Sequence, residues 1–335
     1  MITMPPPNQP TTTATQSQGV APLSEQTLSQ DSTQQVIKQL ILQQLVDGSI
    51  KADEAEGVTT GVRIMDLQDE HLIVDHNQNT EQFAASINKL PVAFLLLQDL
   101  RAHTLHMNQT MTWLPSDVRG GYGVYDQPGA PTSASFQDVL FDMLNHSGNT
   151  AVRVMVNYAL GGAANVNARW THYPQLSHTY LQPLDANRFY LGNSTPHDSL
   201  WTMEQLMSKK DEDQYSAFMK HAMATNIFTT YGVRSQLADN DWIILVNKVG
   251  ILNDPSGDNR HDVGIIYNTK DHRSYGYSFM TTSPEATTAA TPQAEKSLMD
   301  MGRYLLRFAG DKPQQVMRPL TALRQGVKAE QKVLY

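Results

Sequence analysis

Cysteine is absent from the 335-residue chain. That excludes structural disulfides and cysteine nucleophiles, and leaves any zinc site to be argued from histidines. The 11 histidines are scattered, with His103 and His106 sharing a helical face but no His-x-x-x-His pair anywhere. The sequence therefore calls for no metal and no cofactor. Charge is also sparse: Asp, Glu, Lys and Arg make up 17% of the chain, and the net charge is −8. No basic run exceeds Lys209-Lys210, so there is no electrostatic footprint for nucleic acid. Long apolar runs are missing as well. The longest, Leu90 to Leu97, falls well short of the roughly 20 residues a membrane span needs. No lysine-led signal peptide stands at the N-terminus, so a targeting segment, if the protein is exported, is not in this sequence.

What is present has a clear order. Residues 1–30 form a Pro/Thr/Ser/Gln-rich tract that buries too little apolar surface to offset its ordering entropy, and read as a disordered linker. Asp31 to Asp47 reads as an amphipathic helix, with Ser32 or Thr33 as cap and Ile37, Leu40, Ile41 and Leu45 on its apolar face. Gly61 to Asp66 and His71 to Asp75 read as a hairpin. A mostly helical region follows, with helices over Ser135 to Leu144 and Asn149 to Leu160, the second stopped by Gly161-Gly162. Ala163 to Asn193 shows no clear period and reads as a long loop, whose Trp170, Tyr173 and Tyr180 either pack it down or line a cleft. Thr195-Pro196-His197-Asp198 has the form of a capped helix start, and another helix spans Asp213 to Thr225. Trp242 to Asn247, Asp262 to Tyr267 and Ser274 to Thr281 read as strands, and Pro292 to Ala309 as a closing helix. Residues 310–335 form a basic tail. Strands at both ends of the chain must pair with one another. The fold class is thus α/β (α+β), an antiparallel sheet flanked by helices with an inserted all-helical subdomain. On that division residues 31–85 and 226–309 form the α/β part and 86–225 the helical part.

One stretch carries chemistry. Phe83 to Leu100 runs from small residues through Ser86 and Lys89 into a long apolar helix. Residues three apart share a helical face, so Ser86 and Lys89 can touch. A buried lysine loses its charge readily, and a neutral amine can accept a serine proton. By itself the pair better suits an ordinary helix start capped by Ser86. Two further pieces decide between these readings. His146-Ser147-Gly148-Asn149 opens a helix 61 positions after Ser86, and Asn247-Lys248-Val249-Gly250 ends a buried strand 101 positions after Ser147.

Together the three pieces resemble the Ser-x-x-Lys, Ser-Asp-Asn and Lys-Thr-Gly signature of penicillin-recognising serine enzymes, and in order and spacing the class A β-lactamases. The resemblance runs from about Ser32 to Ala309. It implies a serine β-lactamase/transpeptidase-like fold with the site between its two parts. It also implies that Ser86 is the acylated nucleophile and Lys89 its proton acceptor. Ser147 would relay a proton to the leaving nitrogen, and Lys248 would hold that network and the substrate carboxylate. Asn149 would bind the substrate's amide side chain, and Gly250 would leave room for substrate along the strand edge. The backbone N–H groups of Ser86 and Ile251 would form the oxyanion hole. Arg260 resembles the family's auxiliary carboxylate-binding arginine, and Tyr122 its aromatic gatepost.

Three residues depart from the pattern. Gly148 replaces the acid of the middle motif, Val249 replaces threonine, and no glutamate occurs between Ala151 and Leu200. Class A enzymes use a loop glutamate to activate the deacylating water. Asp185, one methylene shorter, is the candidate substitute. The expected function is acyl transfer on β-lactams or D-Ala-D-Ala-type peptides, with impaired deacylation. The alternative is a catalytically degenerate cell-wall binding or structural module of the same fold. The expected partner is a β-lactam or cell-wall peptide, the chain a monomer, and the location extracytoplasmic, whether periplasmic, secreted or tethered at the cell surface.

Overall fold

The computed structural model describes residues 30–185, 187–208, 210–237, 241–254, 257–284 and 290–310. The N-terminal tract before Gln30 and the tail after Gly310 lie outside the described residues.

Helix α1 (Gln30–Ala55) leads into the hairpin β1 (Thr59–Asp66) and β2 (His71–His76). The helix is longer than its apolar pattern implied and starts before the expected cap. Its buried face also differs: Leu42, Val46 and Ile50 go inward, whereas Ile37 and Leu40 stay exposed. The i, i+4, i+8 stripe that packs lies further along the helix and turns toward the sheet.

The short strand β3 (Gln82–Phe83) runs into a 3-10 turn at Ala85–Asn88 and then α2 (Lys89–Arg101). After it come β4 (Thr110–Thr112), β5 (Ser133–Ser135) and α3 (Phe136–Phe141), which Ser135 caps by accepting from the Asp138 N–H. A π-helical turn at Asp142–His146 continues α3 up to Ser147. Helix α4 (Asn149–Val154) follows, and a second π turn, Met155–Ala159, carries the chain to the Gly161-Gly162 stop.

The stretch expected to be loop contains a helix, α5 (Ala163–Trp170), then β6 (Gln182–Pro183), β7 (Phe189–Tyr190) and β8 (Asn193–Ser194). Ala163, Val166 and Trp170 give α5 a buried stripe too short to stand out in sequence. Trp170 is core, its Nε1 donating to the Pro91 carbonyl at 3.2 Å, and Tyr173 packs edge-on against Phe94 at 5.0 Å. Because β3 pairs with β8, β4 with β5 and β6 with β7, the inserted block is not all-helical.

Helices α6 (Pro196–Met207) and α7 (Gln214–Ala224) close the block. Thr195 caps α6 as its spacing implied, but Asp198 does not complete a capping box. Its buried carboxylate accepts from the His178 N–H and the Thr179 and Thr195 hydroxyls, anchoring the preceding segment.

Strands β9 (Ile243–Asp254), β10 (Gly257–Asn268) and β11 (Ser274–Ser283) precede α8 (Ala290–Gly310). They join the N-terminal hairpin in one five-stranded antiparallel sheet of order β2-β1-β11-β10-β9. One face packs on α1 and α8, where Leu298, Met301, Leu305 and Phe308 are buried. The other packs on the inserted block through Val246, Val263 and Ile265. β9 is thus the sheet edge beside the inserted block, and it runs along the turn that carries Ser86.

Candidate active site

Ser86 sits in the 3-10 turn ahead of α2, directly after Ala85, whose φ of 46° is left-handed. A non-glycine residue costs free energy in that conformation and keeps it only where its surroundings enforce it. Two contacts hold the approach. His261 on β10 meets the Phe83 carbonyl through Nε2 at 2.8 Å, and Asn88 Nδ2 donates to the carbonyls of Asn193 at 2.9 Å and Leu191. Ser86 caps nothing.

Lys89, fully buried one turn on, places Nζ 3.0 Å from Ser86 Oγ. The same nitrogen lies 3.2 Å from Ser147 Oγ and 3.0 Å from Asn149 Oδ1, and it also donates to the Ser147 carbonyl. Lys248 Nζ, buried on β9, donates to Ser147 Oγ at 2.7 Å and to the Val249 carbonyl at 2.9 Å. Ser147 itself adopts a left-handed φ of 61° between its two helical segments. Ser86, Lys89, Ser147, Asn149 and Lys248 thus form one connected network, drawn from three distant parts of the sequence.

Burial dominates the electrostatics. Desolvation lowers the Lys89 amine to about 7, against a partial upward pull from Asp126 and Asp142. The Lys248 amine is pushed down as well, first by burial and then by the charge of Lys89.

The network opens onto a cleft of about 470 Å³, an ordinary size for a small-molecule site. Ile251 and Val249 of the sheet edge line one wall. Tyr122 stands exposed at the rim, edge-on to Phe228 with ring centroids 5.4 Å apart.

Three expected site residues are placed otherwise. A Cβ on Gly250 would meet Ile87 Cγ1 at 2.9 Å and the Ala84 carbonyl at 3.0 Å. Its missing side chain lets the strand approach the nucleophile turn and makes no room in the cleft. Arg260 pairs with Asp258 at 3.0 Å and Glu295 at 3.5 Å, on the face covered by α8. It does not line the cleft, because residues alternate faces along β10 and its parity is the wrong one. Asp185 is exposed. It accepts from the Asn187 and Arg188 N–H groups and pairs with the Arg188 guanidinium, bonds that hold its carboxyl below the usual range. A carboxylate stabilised in its charged form is a poor base, and it too lies outside the cleft lining.

Other residues had no motif to announce them. Asp126 accepts from the backbone N–H groups of Gly123, Asn149 and Thr150 at 2.7–3.0 Å, capping α4 from outside its own segment. Asp142, fully buried, accepts from the Val124 N–H at 2.7 Å. Gly148 was the available clue, since a motif that lacks its acid invites a search for one nearby. Among the described residues no cluster of histidines and carboxylates is placed to hold a metal.

The sequence profile of the Beta-lactamase enzyme family matches residues 24–309. Among solved structures, the fold is similar to a β-lactamase from Sphaerobacter thermophilus at 19% identity and TM-score 0.66, covering 81% of this chain and 98% of that one. A chromosome-encoded β-lactamase of Vibrio parahaemolyticus superposes at 17% identity and TM-score 0.67, over 80% of this chain and 100% of that one. The protein PBP-A, in a mutant form described as an acyl-enzyme complex with penicillin G, does so at 16% identity and TM-score 0.64, over 81% and 96%. Among curated proteins no sequence match is found.

Proposed function

The chain belongs to the Beta-lactamase enzyme family, and from that premise we propose that it is a serine acyl-transfer enzyme working through a Ser86 acyl-enzyme. The observation that carries this reading is the Lys89 amine, 3.0 Å from Ser86 Oγ and lowered to about 7. A neutral amine has two N–H groups and one lone pair. The N–H groups are matched by the Ser147 carbonyl and Asn149 Oδ1, which leaves the lone pair for the Ser86 proton. Ser86 Oγ then attacks the substrate carbonyl as its proton passes to Lys89. The oxyanion lies between the backbone N–H groups of Ser86 and Ile251. The proton now on Lys89 is handed to Ser147 Oγ as Ser147, held by both lysines, gives its own to the leaving nitrogen and the carbon–nitrogen bond breaks, which returns Lys89 to its neutral form.

Release is the slow half of the cycle in this reading. The cleft lining contains no carboxylate among the described residues, and Asp185, outside that lining, is committed to Arg188. Water attack on the ester then lacks the roughly 10²–10⁴-fold that a positioned base supplies. The substrates would be β-lactams or D-Ala-D-Ala-type peptides, met outside the cytoplasm by a monomer. PBP-A, held as an acyl-enzyme with penicillin G, supports that substrate class.

The test is intact-protein mass after short and long exposure to benzylpenicillin, for the parent and Ser86→Ala. A persistent adduct in the parent alone is expected. No adduct and no drug consumption would leave the non-catalytic cell-wall module, which Val249 and the carboxylate-free cleft also favour.

A further inference from the structure

In a chain of net charge −8, the cleft is lined by three arginines and, among the described residues, no carboxylate. The three cations are not equivalent. Arg153 is neutralised from below by buried Asp117 at 3.0 Å. Arg188 pairs only with Asp185 among the described residues, and both are exposed at the rim. Arg119 has no carboxylate within ion-pair distance among the described residues. Its guanidinium donates to the carbonyls of Ser116 at 3.1 Å and Val118 at 2.9 Å. Burial, and then the charges of Arg153 and Arg188, push that guanidinium below its ordinary value, while Asp117 opposes them. Three positive charges are therefore close enough to feel one another, and fewer negative ones answer them.

The position of Arg119 is set by the site itself. Its N–H donates to Thr150 Oγ1 at 2.9 Å, and the next carbonyl, Gly120, accepts from Asn149 Nδ2 at 2.8 Å. Arg119 is thereby pinned beside Asn149. A low-dielectric cleft walled by one sign of charge focuses its field on an incoming ligand. Arginine's planar fork suits a carboxylate in particular. The exposed Asp185–Arg188 pair adds little stability and can yield Arg188 to a competing anion.

We propose that Arg119 and Arg188 form an anion subsite at the acyl-side-chain end of the cleft, selecting substrates that carry a second carboxylate there, as an acidic peptide does. The proposal rests on the acyl-transfer reading for its enzymatic consequence, but the subsite itself does not require Ser86.

The test uses pairs of ligands that differ by one carboxylate. Acylation rates are measured for α-carboxybenzylpenicillin and benzylpenicillin, with the parent, Arg119→Gln and Arg188→Gln. The ratio of the anionic to the neutral rate should exceed one in the parent and fall about tenfold in Arg119→Gln, the scale of one charge-assisted hydrogen bond. It should fall less in Arg188→Gln, and in the parent it should shrink with added salt. A ratio indifferent to both arginines overturns the subsite and leaves the acyl-transfer reading standing. Calorimetry on Ser86→Ala, alone and with Arg119→Gln, separates the two claims. Its probes are the peptide L-Ala-γ-D-Glu-L-Lys-D-Ala-D-Ala and its γ-D-Gln counterpart. Tighter binding of the acidic peptide, lost with Arg119→Gln, upholds the subsite even if no penicillin acylates Ser86. Equal binding of both peptides refutes it.

Discussion

The carboxylate of Asp142 occupies the volume that any side chain at residue 148 would fill. A Cβ built on Gly148 points straight into it, with Asp142 Cγ at 2.9 Å and Ala151 Cβ at 3.1 Å. A buried acid on the neighbouring helical turn thus fills the space beside residue 148, and only glycine fits there. Asp142 braces the Val124 N–H, and Asp126 takes the exposed N–H groups of α4. Carboxylates from two other elements thus hold the turn that leads into α4.

Restoring the motif alone should therefore harm the protein. Gly148→Asp overpacks a filled space with a second buried carboxylate, and about 3 kcal/mol of stability should be lost. Asp142→Ala leaves the Val124 N–H without its acceptor and should cost about 1–3 kcal/mol. The double variant should recover at least about 1.5 kcal/mol relative to the sum, a coupling expected only of groups that share one site. Urea unfolding of all four proteins decides the matter. Simple additivity would mean that the two carboxylate positions are not equivalent.

Acylation should follow the protonation of Lys89. Its amine titrates at about 7, and only the neutral form accepts the Ser86 proton. The rate should rise about tenfold per pH unit below pH 7 and level off above it. Lys89→Ala should lower it by about 10²–10⁴ across the whole range. Stopped-flow acylation between pH 5 and pH 9 is the measurement, and a flat parent profile would remove Lys89 from the role of base.

The parts of this molecule that could be seen in its sequence are those that local pattern dictates. Gly161-Gly162 ends a helix, Thr195-Pro196 begins one, and the apolar run after Lys89 can only be a buried helix. The three motif pieces fixed the order of the elements between which the cleft opens. What stayed hidden depends on which face a residue presents after packing. Arg260 and Gly250 sit on the expected strands, but strand parity sends one to the α8 face and packs the other against the Ser86 turn. Asp126 stands 22 positions before Gly148 and has no fixed spacing to any motif. α1 exposes Ile37 and Leu40 because its position on the sheet selects a different stripe.

Asp185 should prove dispensable for release of the acyl group. Its carboxylate is already committed to the Asn187 and Arg188 N–H groups and the Arg188 guanidinium. In Asp185→Asn the lifetime of the penicillin adduct, followed by intact mass, should change by no more than about twofold, against the roughly 10²–10⁴ expected on losing a true base. A lifetime lengthened a hundredfold would show that the loop reorganises around bound substrate and presents Asp185 to water.

Glu204 offers a test of the fold without reference to chemistry. It lies on α6 with Oε1 buried and unpartnered, and burial raises its carboxyl to about 7, against the pull of Arg63 and His197 and with a small push from Glu70. The sign follows from proton counting. The folded protein keeps this proton up to about pH 7, whereas the unfolded chain releases it near pH 4.5. The unfolded state therefore binds fewer protons across that window, and the stability of the parent falls as pH rises through it. Glu204→Gln removes the ionisation while keeping the shape. Its stabilisation relative to the parent should be small at pH 4.5 and grow to about 3 kcal/mol at pH 8. Comparing the two proteins at each pH by urea unfolding cancels the contributions of all other titrating groups. A gain that is the same at both pH values would mean that Glu204 ionises normally in the folded state, through a route to solvent or a counter-ion closer than Arg63.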